Sequence, residues 1–333
     1  MTRTHQDPTP SPWAPVPQSY SHKRNADETL LTSWRRTGPD SFLIRARWPE
    51  VHPFYTTRTA GIDPLLFGET IRQCLPTLSH AAYEVPLGHH LLWETYDYEL
   101  ATDDPAASCA TPALTPASDR PHDAPHEIVL HAGCHDVTRR GTRASAATVR
   151  IRALQGDRLI GTATTRFSIQ TPAVYRRLRG EYADIAHALE RRLPPPTPLA
   201  APEAGRSRPY DVVLSPTDIP GRHRLRVDTG HPVLFDHDVD HVPGMLLIDA
   251  ARQAAHAASP VRPARAVGMT TRFSRYVEFD APCWVETAPD PAAPDRLLVT
   301  ARQHDRECFT ASVALAAEPA ASAPLPLDRC GAA

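Results

Sequence analysis

The sequence predicts an α+β chain built as two copies of one module, each an antiparallel sheet wrapped around a central helix. Three observations predict it. First, the chain repeats itself. His52-Pro53, Glu69, Arg72 and Gln73 in the first half return as His231-Pro232, Asp249, Arg252 and Gln253 in the second. The last three pairs lie 180 positions apart and the histidines 179, so one single-residue gap aligns the copies. Leu30-Leu31-Thr32 likewise matches Val213-Leu214-Ser215. Second, each acid–arginine pair falls in a segment with helix-start signals. Third, alternating apolar and polar runs follow each helix, as the strands of a meander do.

In the first copy Phe42, Ile44, Ala46 and Trp48 alternate with Leu43, Arg45 and Arg47, which predicts a strand. Asp63 is a natural N-cap and Pro64 suits the first helical position, so a helix starts there and carries Leu65, Leu66 and Ile71. Strands are expected at 91–100, 127–137, 144–153 and 159–169, with Gln155-Gly156-Asp157 turning the last hairpin. A helix is expected over 173–193. The second copy opens with a shorter strand at 224–227. Pro243-Gly244 starts its helix, and Met245, Leu246, Leu247 and Ile248 cover every side of one turn, which predicts burial all round. Strands follow at 271–279, 283–288, 297–303 and 308–315, the last two joined through His304-Asp305-Arg306. A strand, a buried helix and an antiparallel meander make the hotdog pattern; two copies make a double hotdog.

Proline marks the boundaries. Residues 1–20 read as a loose tail, 21–192 as the first repeat with a loop insertion at 101–125, 193–209 as a Pro-rich linker, 210–318 as the second repeat and 319–333 as a C-terminal tail. The 333 residues carry 36 Lys+Arg against 38 Asp+Glu, a balance that speaks against a basic nucleic-acid binder. No apolar run is long enough to span a membrane, and the polar N-terminal segment does not read as a secretory signal. Lys23 is the only lysine; the excess of Arg, Ala and Pro reads as a coding bias rather than a site. Cys74, Cys109, Cys134, Cys283, Cys308 and Cys330 are scattered without a CxxC pair. Free thiols in a reducing cytosol fit that pattern better than disulfides or zinc. The chain is therefore expected to be cytoplasmic, without metal or redox cofactor.

In the second copy Asp240-His241-Val242-Pro243-Gly244-Met245 leads into the helix that carries Asp249. The first copy adds Val85-Pro86-Leu87-Gly88-His89, Asp136-Val137-Thr138-Arg139-Arg140-Gly141 and Pro172-Ala173-Val174-Tyr175-Arg176-Arg177-Leu178. On these runs the sequence resembles the A-factor biosynthesis (AfsA-like) hotdog family over 21–315. The helix start also resembles that of hotdog dehydratases, whose acid sits at the position of Asp249. The resemblance implies acyl transfer. A β-ketoacyl group leaves an acyl carrier protein thioester and joins the hydroxyl of dihydroxyacetone phosphate. The ester can then close to a butenolide phosphate, the precursor of a γ-butyrolactone-type signal of quorum sensing and secondary metabolism.

That chemistry needs a base, donors for an oxyanion and positive charge for a phosphate. Glu69 and Asp249 are the candidate acid–base groups, and Arg72 and Arg252, one helical turn on, are candidate phosphate forks. Gly244 begins a helix with free N–H groups and is the candidate oxyanion site; Pro64 in the first copy has no N–H. His237 and His241 are candidates for proton transfer, and Gln73, Gln253 and Met245 for substrate contact. By the resemblance, a glutamate is usual where this chain has Asp249, which is one methylene shorter.

Plainer readings stay open. An acid and an arginine three apart on a helix also make a simple ion pair. His52 and His231 precede proline and read as turn residues, and Cys74 reads as packing. Arg176, Arg177, Arg179, Arg191 and Arg192 make a basic face, either solvated or a dock for an acidic carrier protein. A hotdog dehydratase or thioesterase, or a non-catalytic binder of a small lipid-like signal, are the alternative functions. Nothing resembles a helix-turn-helix, so no nucleic acid is expected. The assembly expected is a monomeric double hotdog or a homodimer.

Overall fold

The computed structural model describes residues 11–55, 62–101, 126–141, 143–260 and 264–317. Two helices sit at the centre. Asp63 starts the first, α1 (Pro64–Tyr83), its carboxylate accepting from the Leu65 and Leu66 amides at 2.7 and 3.2 Å. Such a cap stabilises a helix by about 1 kcal/mol. The central helix of the second repeat, Gly244–Ala258, is buried on all sides apart from its ends and Arg252, as its apolar run predicts.

The strands in chain order are β1 (Ala14–Pro15), β2 (Leu31–Gly38), β3 (Ser41–Arg47), β4 (His90–Leu100), β5 (Glu127–Arg140), β6 (Arg143–Gln155) and β7 (Arg158–Gln170). The second repeat supplies β8 (Leu214–Ser215), β9 (Arg222–Leu225), β10 (Ala264–Phe273), β11 (Cys283–Pro289), β12 (Arg296–Gln303) and β13 (Arg306–Ala317). All pairings are antiparallel, in the order β1-β2-β3-β5-β6-β7-β4-β10-β13-β12-β11-β9-β8. Outward from the β4–β10 seam, both directions run through equivalent strands in the same sequence. An antiparallel pair of equivalent strands is what a local two-fold axis produces. The two sheets expected from sequence are therefore one continuous sheet of 13 strands. The seam satisfies backbone groups that an open edge would leave unpaired. At its middle, Thr271 Oγ1 donates to the Tyr96 carbonyl (2.8 Å) and accepts from the Tyr96 amide (3.0 Å).

Other boundaries differ from expectation for physical reasons. The segment read as a tail is already ordered at residue 14, where β1 pairs with β2. The single helix expected over 173–193 is two, α2 (Pro172–Arg179) and α3 (Ile185–Glu190), broken at Gly180 with φ +58°. The strand expected at 271–279 lies earlier, as β10. Its last residues leave the sheet, and the Val277 carbonyl accepts instead from the Val242 amide ahead of the second central helix, at 2.9 Å. The stretch read as a linker packs: Leu199, Ala201 and Ala204 are buried, and the Leu199 amide bonds the Leu214 carbonyl at 2.8 Å. Apart from Ala101, the insertion at 101–125 lies outside the described residues, as does the tail at 319–333. Among the described residues no helix is long and apolar enough to cross a membrane. We label the second central helix α4 (Gly244–Ala258).

Gly161 on β7 marks the closest approach of sheet and helix. A Cβ there would lie 3.0 Å from the Glu99 carbonyl oxygen and 3.1 Å from Phe67 Cζ on α1. Gly161→Ala is expected to lower stability by about 1–3 kcal/mol, read as a lower denaturant midpoint at unchanged slope. An unchanged midpoint would show that α1 can move off the strand without cost.

Candidate active site

A carboxylate in the middle of a buried helix must be paired, because desolvating it alone costs several kcal/mol or more. Glu69 is held by three side chains. Arg72 forks across both oxygens, Nε to Oε2 at 2.9 Å and Nη2 to Oε1 at 2.8 Å. Gln73 Nε2 donates to Oε1 at 2.9 Å, and Lys23 Nζ lies 3.3 Å from the same oxygen. Gln73 also latches the chain that precedes β2: its Nε2 donates to the Glu28 carbonyl (2.8 Å) and its Oε1 accepts from the Leu30 amide (2.9 Å). The Glu28 carboxylate meets His52 Nε2 at 3.1 Å, while His52 Nδ1 accepts from the Phe54 and Tyr55 amides. Since Nδ1 accepts, the ring proton sits on Nε2 and is donated to Glu28.

The second repeat rebuilds the cluster part for part. Gln253 bonds Asp249 (3.0 Å), the Asp211 carbonyl (3.0 Å) and the Val213 amide (3.0 Å). Asp211 meets His231 Nε2 at 3.3 Å, and His231 Nδ1 accepts from the Val233 and Leu234 amides. Arg206 stands where the first repeat has Lys23, its Nη2 on Asp249 Oδ2 at 2.6 Å. His52 and His231 are thus turn residues, as expected, but each also anchors a buried carboxylate. The residues that sequence reading missed are Lys23, Glu28, Arg206 and Asp211. A signal existed. Lys23/Arg206 and Glu28/Asp211 are each 183 apart, the same offset as Leu30/Val213. His22 (φ 54°) and Gly205 (φ 62°), also 183 apart, both take the left-handed turn that aims the cation at the helix.

Burial alone would raise the Glu69 carboxyl, but Arg72, Lys23 and Gln73 outweigh it and hold it at about 2. Both its oxygens are already engaged by donors, which favours the ion-pair reading of Glu69 over the acid–base one. Asp249 differs through its missing methylene. Arg252 Nε and Nη2 both come within 2.9 Å of Oδ1 alone, and Oδ2 is taken by Arg206 and Gln253. Burial and the neighbouring Arg206 push Arg252 below the usual arginine range in spite of Asp249. The two couples flank the contact between the central helices, where Met245 Cε comes within 3.5 Å of the position a Cβ on Gly68 would take.

A third cluster precedes α4. His241 Nδ1 lies 2.6 Å from Asp240 Oδ1, and Tyr175 on α2 donates its hydroxyl to the same carboxylate at 2.6 and 2.9 Å. Arg179 reaches from α2 to Asp240 Oδ2 (3.4 Å), to the Asp240 carbonyl (3.1 Å) and to Glu278 Oε2 (2.8 Å). Burial works to raise the Asp240 carboxyl, but His241, Tyr175 and Arg179 hold it well below the usual range. An ionised Asp240 accepts, so the His241 proton sits on Nδ1 and the Nε2 lone pair is left for a ligand. Three residues on, α4 begins without a side-chain cap, and among the described residues the Gly244 and Met245 amides have no acceptor. Their counterparts in α1 are Pro64, which has no N–H, and Leu65, which is bonded to Asp63. Trp93 and Phe273 stack at 5.2 Å beside Gly244, and a Cβ there would lie 3.0 Å from Trp93 Cε3. Only glycine fits.

The remaining candidates sit elsewhere. His237 is half exposed and 3.4 Å from Asp236. Burial pushes the Cys74 thiol up, and the thiol donates to the Thr70 carbonyl, a packing role. The expected basic face is split: Arg179 is buried, Arg191 pairs with Asp280 at 2.8 Å, and Arg176, Arg177 and Arg192 stay exposed. A surface groove of about 620 Å³ beside Arg192, Leu193 and Asp228 touches none of the three clusters.

The strap that carries Lys23 is pinned by a histidine pair. His80 Nδ1 donates to the Val85 carbonyl (2.7 Å), so its Nε2 accepts from His22 Nε2 at 2.8 Å. Burial, then Arg72 and His80, lower His22 to about 3. A histidine depressed when folded contributes stability that is complete above 6.5 and is lost as pH falls toward 3. Glu69, also depressed, adds a loss between 4.5 and about 2. Unfolding free energy is expected to fall with pH below 6.5, and His22→Gln to flatten that slope above pH 4.5, as equilibrium denaturation at stepped pH would read. An equally steep slope in the variant would remove His22 from the account.

The A-factor biosynthesis hotdog domain model matches residues 4–171 and 187–317. The chain is 38% identical over 299 residues to the 2-oxo-3-(phosphooxy)propyl 3-oxoalkanoate synthase of Streptomyces virginiae, covering 89% of this chain and 95% of that protein. It is 38% identical to the synthase of the same name from Streptomyces coelicolor, covering 84% of each. Among solved structures it is similar to an acyl-ACP thioesterase from Bacteroides thetaiotaomicron, at 11% identity and a TM-score of 0.46, over 83% of this chain and 98% of that one. With a domain match over nearly its whole length, and with relatives 38% identical over most of both chains, the chain belongs to the A-factor biosynthesis hotdog family.

Proposed function

We propose that the protein is an acyltransferase that joins a 3-oxoacyl group to the hydroxyl of dihydroxyacetone phosphate. The product is a 2-oxo-3-(phosphooxy)propyl 3-oxoalkanoate, which can close to a butenolide phosphate. The acyl donor is an acyl carrier protein thioester, docked by charge against exposed Arg176 and Arg177. The relatives that carry this product in their name support the reaction class.

The observation that carries the siting is the asymmetry of the two helix starts. In α1 the first amides are absent or capped by Asp63; in α4 those of Gly244 and Met245 are open, with His241 three residues before them. The thioester carbonyl sits at the start of α4. The acceptor hydroxyl attacks it, a C–O bond forms, and His241 Nε2 takes the hydroxyl proton. The Gly244 and Met245 amides and the helix dipole stabilise the oxyanion. On collapse the C–S bond breaks and the proton passes from His241 to the leaving thiolate. Asp240 keeps the imidazole in the tautomer that can do this. Arg252 holds the acceptor's phosphate; Asp249 and Gln253 position Arg252. Glu69, Arg72 and Gln73 are the equivalent scaffold of the first repeat.

Mass spectrometry of a 3-oxoacyl thioester incubated with dihydroxyacetone phosphate is expected to show the phosphorylated ester. Free acid or enoyl product in the absence of acceptor would favour a thioesterase or dehydratase instead. His241→Gln is expected to lower kcat by about 10²–10⁴. Arg252→Ala is expected to lower kcat/KM by about 10–100-fold. Full activity in either variant would remove that residue from its role.

A further inference from the structure

Arginine presents five N–H donors and accepts nothing, so donors left without an acceptor on two arginines of one buried cluster are open to a ligand. In the first repeat Arg72 forks across both Glu69 oxygens and gives a further bond to the Ser21 carbonyl at 3.1 Å. In the second repeat two guanidinium groups share one short carboxylate. Arg206 Nη2 is on Asp249 Oδ2 and its Nη1 donates to the Phe54 carbonyl at 3.1 Å, but its buried Nε has no partner. Arg252 Nε donates to Oδ1; its Nη2, at the same distance, is not aligned for a bond and is likewise buried without one. The Arg206, Arg252 and Asp249 side chains are 6%, 13% and 0% exposed. Two guanidinium groups thus meet at one buried carboxylate, with an unpartnered donor on each. Phe54 lies under the Arg206 guanidinium, 4.3 Å from its centre, and fixes its plane.

We propose that Arg206, supplied by the segment between the repeats, joins Arg252 in a two-guanidinium clamp on the phosphate of the acceptor substrate. The identity of the anion as a phosphate monoester rests on the function proposed above; the clamp itself rests on the paired guanidinium groups and their unpartnered donors. A phosphate dianion has three terminal oxygens, enough to accept from both. The first repeat offers no such pair. There a lysine, a point charge without a fork, faces an Arg72 whose Nε and Nη2 are taken by the two Glu69 oxygens.

Lys23, the counterpart of Arg206 in the first repeat, points to the variant that tests the clamp. Arg206→Lys keeps a positive charge in the cluster and removes the fork. Titration calorimetry of the full chain with inorganic phosphate is expected to show binding that weakens about tenfold or more in Arg206→Lys, and further in Arg206→Ala. In turnover, the preference for dihydroxyacetone phosphate over dihydroxyacetone, as a ratio of kcat/KM, is expected to fall at least tenfold. Unchanged phosphate affinity in Arg206→Lys, or equal losses with both acceptors, would overturn the clamp. So would a wild-type chain with no measurable affinity for phosphate. Phosphate binding that depends on Arg206 in a chain that makes no ester would sink the acyl-transfer reading and leave the clamp standing.

Discussion

An ionised carboxylate sits in the buried middle of each central helix, and everything around it is arranged to neutralise it. The helix itself supplies one arginine, a turn further on. The second cation, Lys23 or Arg206, comes from the chain that leads into the first strand of each repeat. A glutamine then ties the two together, bonding the acid and the backbone of the incoming chain. Removing one partner of a buried ion pair leaves the other uncompensated and costs about 3–5 kcal/mol, so strap and helix stand or fall as one body. The strap is for that reason no loose tail or linker, despite its composition.

Much of this frame was legible in the sequence. The 180-residue offset located both helices, Asp63 marked a true cap, and the alternating runs marked most of the strands to within a few residues of their ends, though they misplaced β10 and did not mark β1, β2 or β8. What was not legible follows from physics. Lys23 and Arg206 lie in irregular chain, where no period advertises which side chain turns inward. Their contact with the acids spans more than 40 residues and depends on a left-handed residue just before each cation. The Asp240 network was hidden for a related reason. Tyr175 and Arg179 looked like members of an exposed basic helix, and only the break at Gly180 and the packing of α2 carry them to a carboxylate 65 and 61 positions on.

The two repeats keep one frame and set it differently. Where the first pairs Glu69 with a lysine, the second pairs the shorter Asp249 with the longer arginine, and the sum of reach is roughly conserved. The exchange changes chemistry more than geometry. Glutamate lets its arginine fork over both oxygens; aspartate holds its arginine by one oxygen and leaves a buried donor over. The same contrast appears at the helix starts, with Asp63 filling one and Gly244 leaving the other open. One repeat is closed in both respects and the other open in both, which is the pattern expected when a duplicated module divides into scaffold and site.

The open site is nonetheless not the work of the second repeat alone. Asp240 and Glu278 come from the second repeat, but Tyr175 and Arg179, which hold them, come from α2 at the end of the first. Phe54, under Arg206, also belongs to the first. An imidazole is a useful base only when its ring cannot turn, and the ring of His241 is fixed by a carboxylate that two side chains of the other module keep in place. Joining the modules in one chain secures that contact in every molecule, at fixed register, without an association step. A pair of identical modules would have to carry both the supporting helix and the open site on the same copy. Duplication followed by fusion allows each copy to keep one of the two, with the modules joined at the seam of β4 against β10.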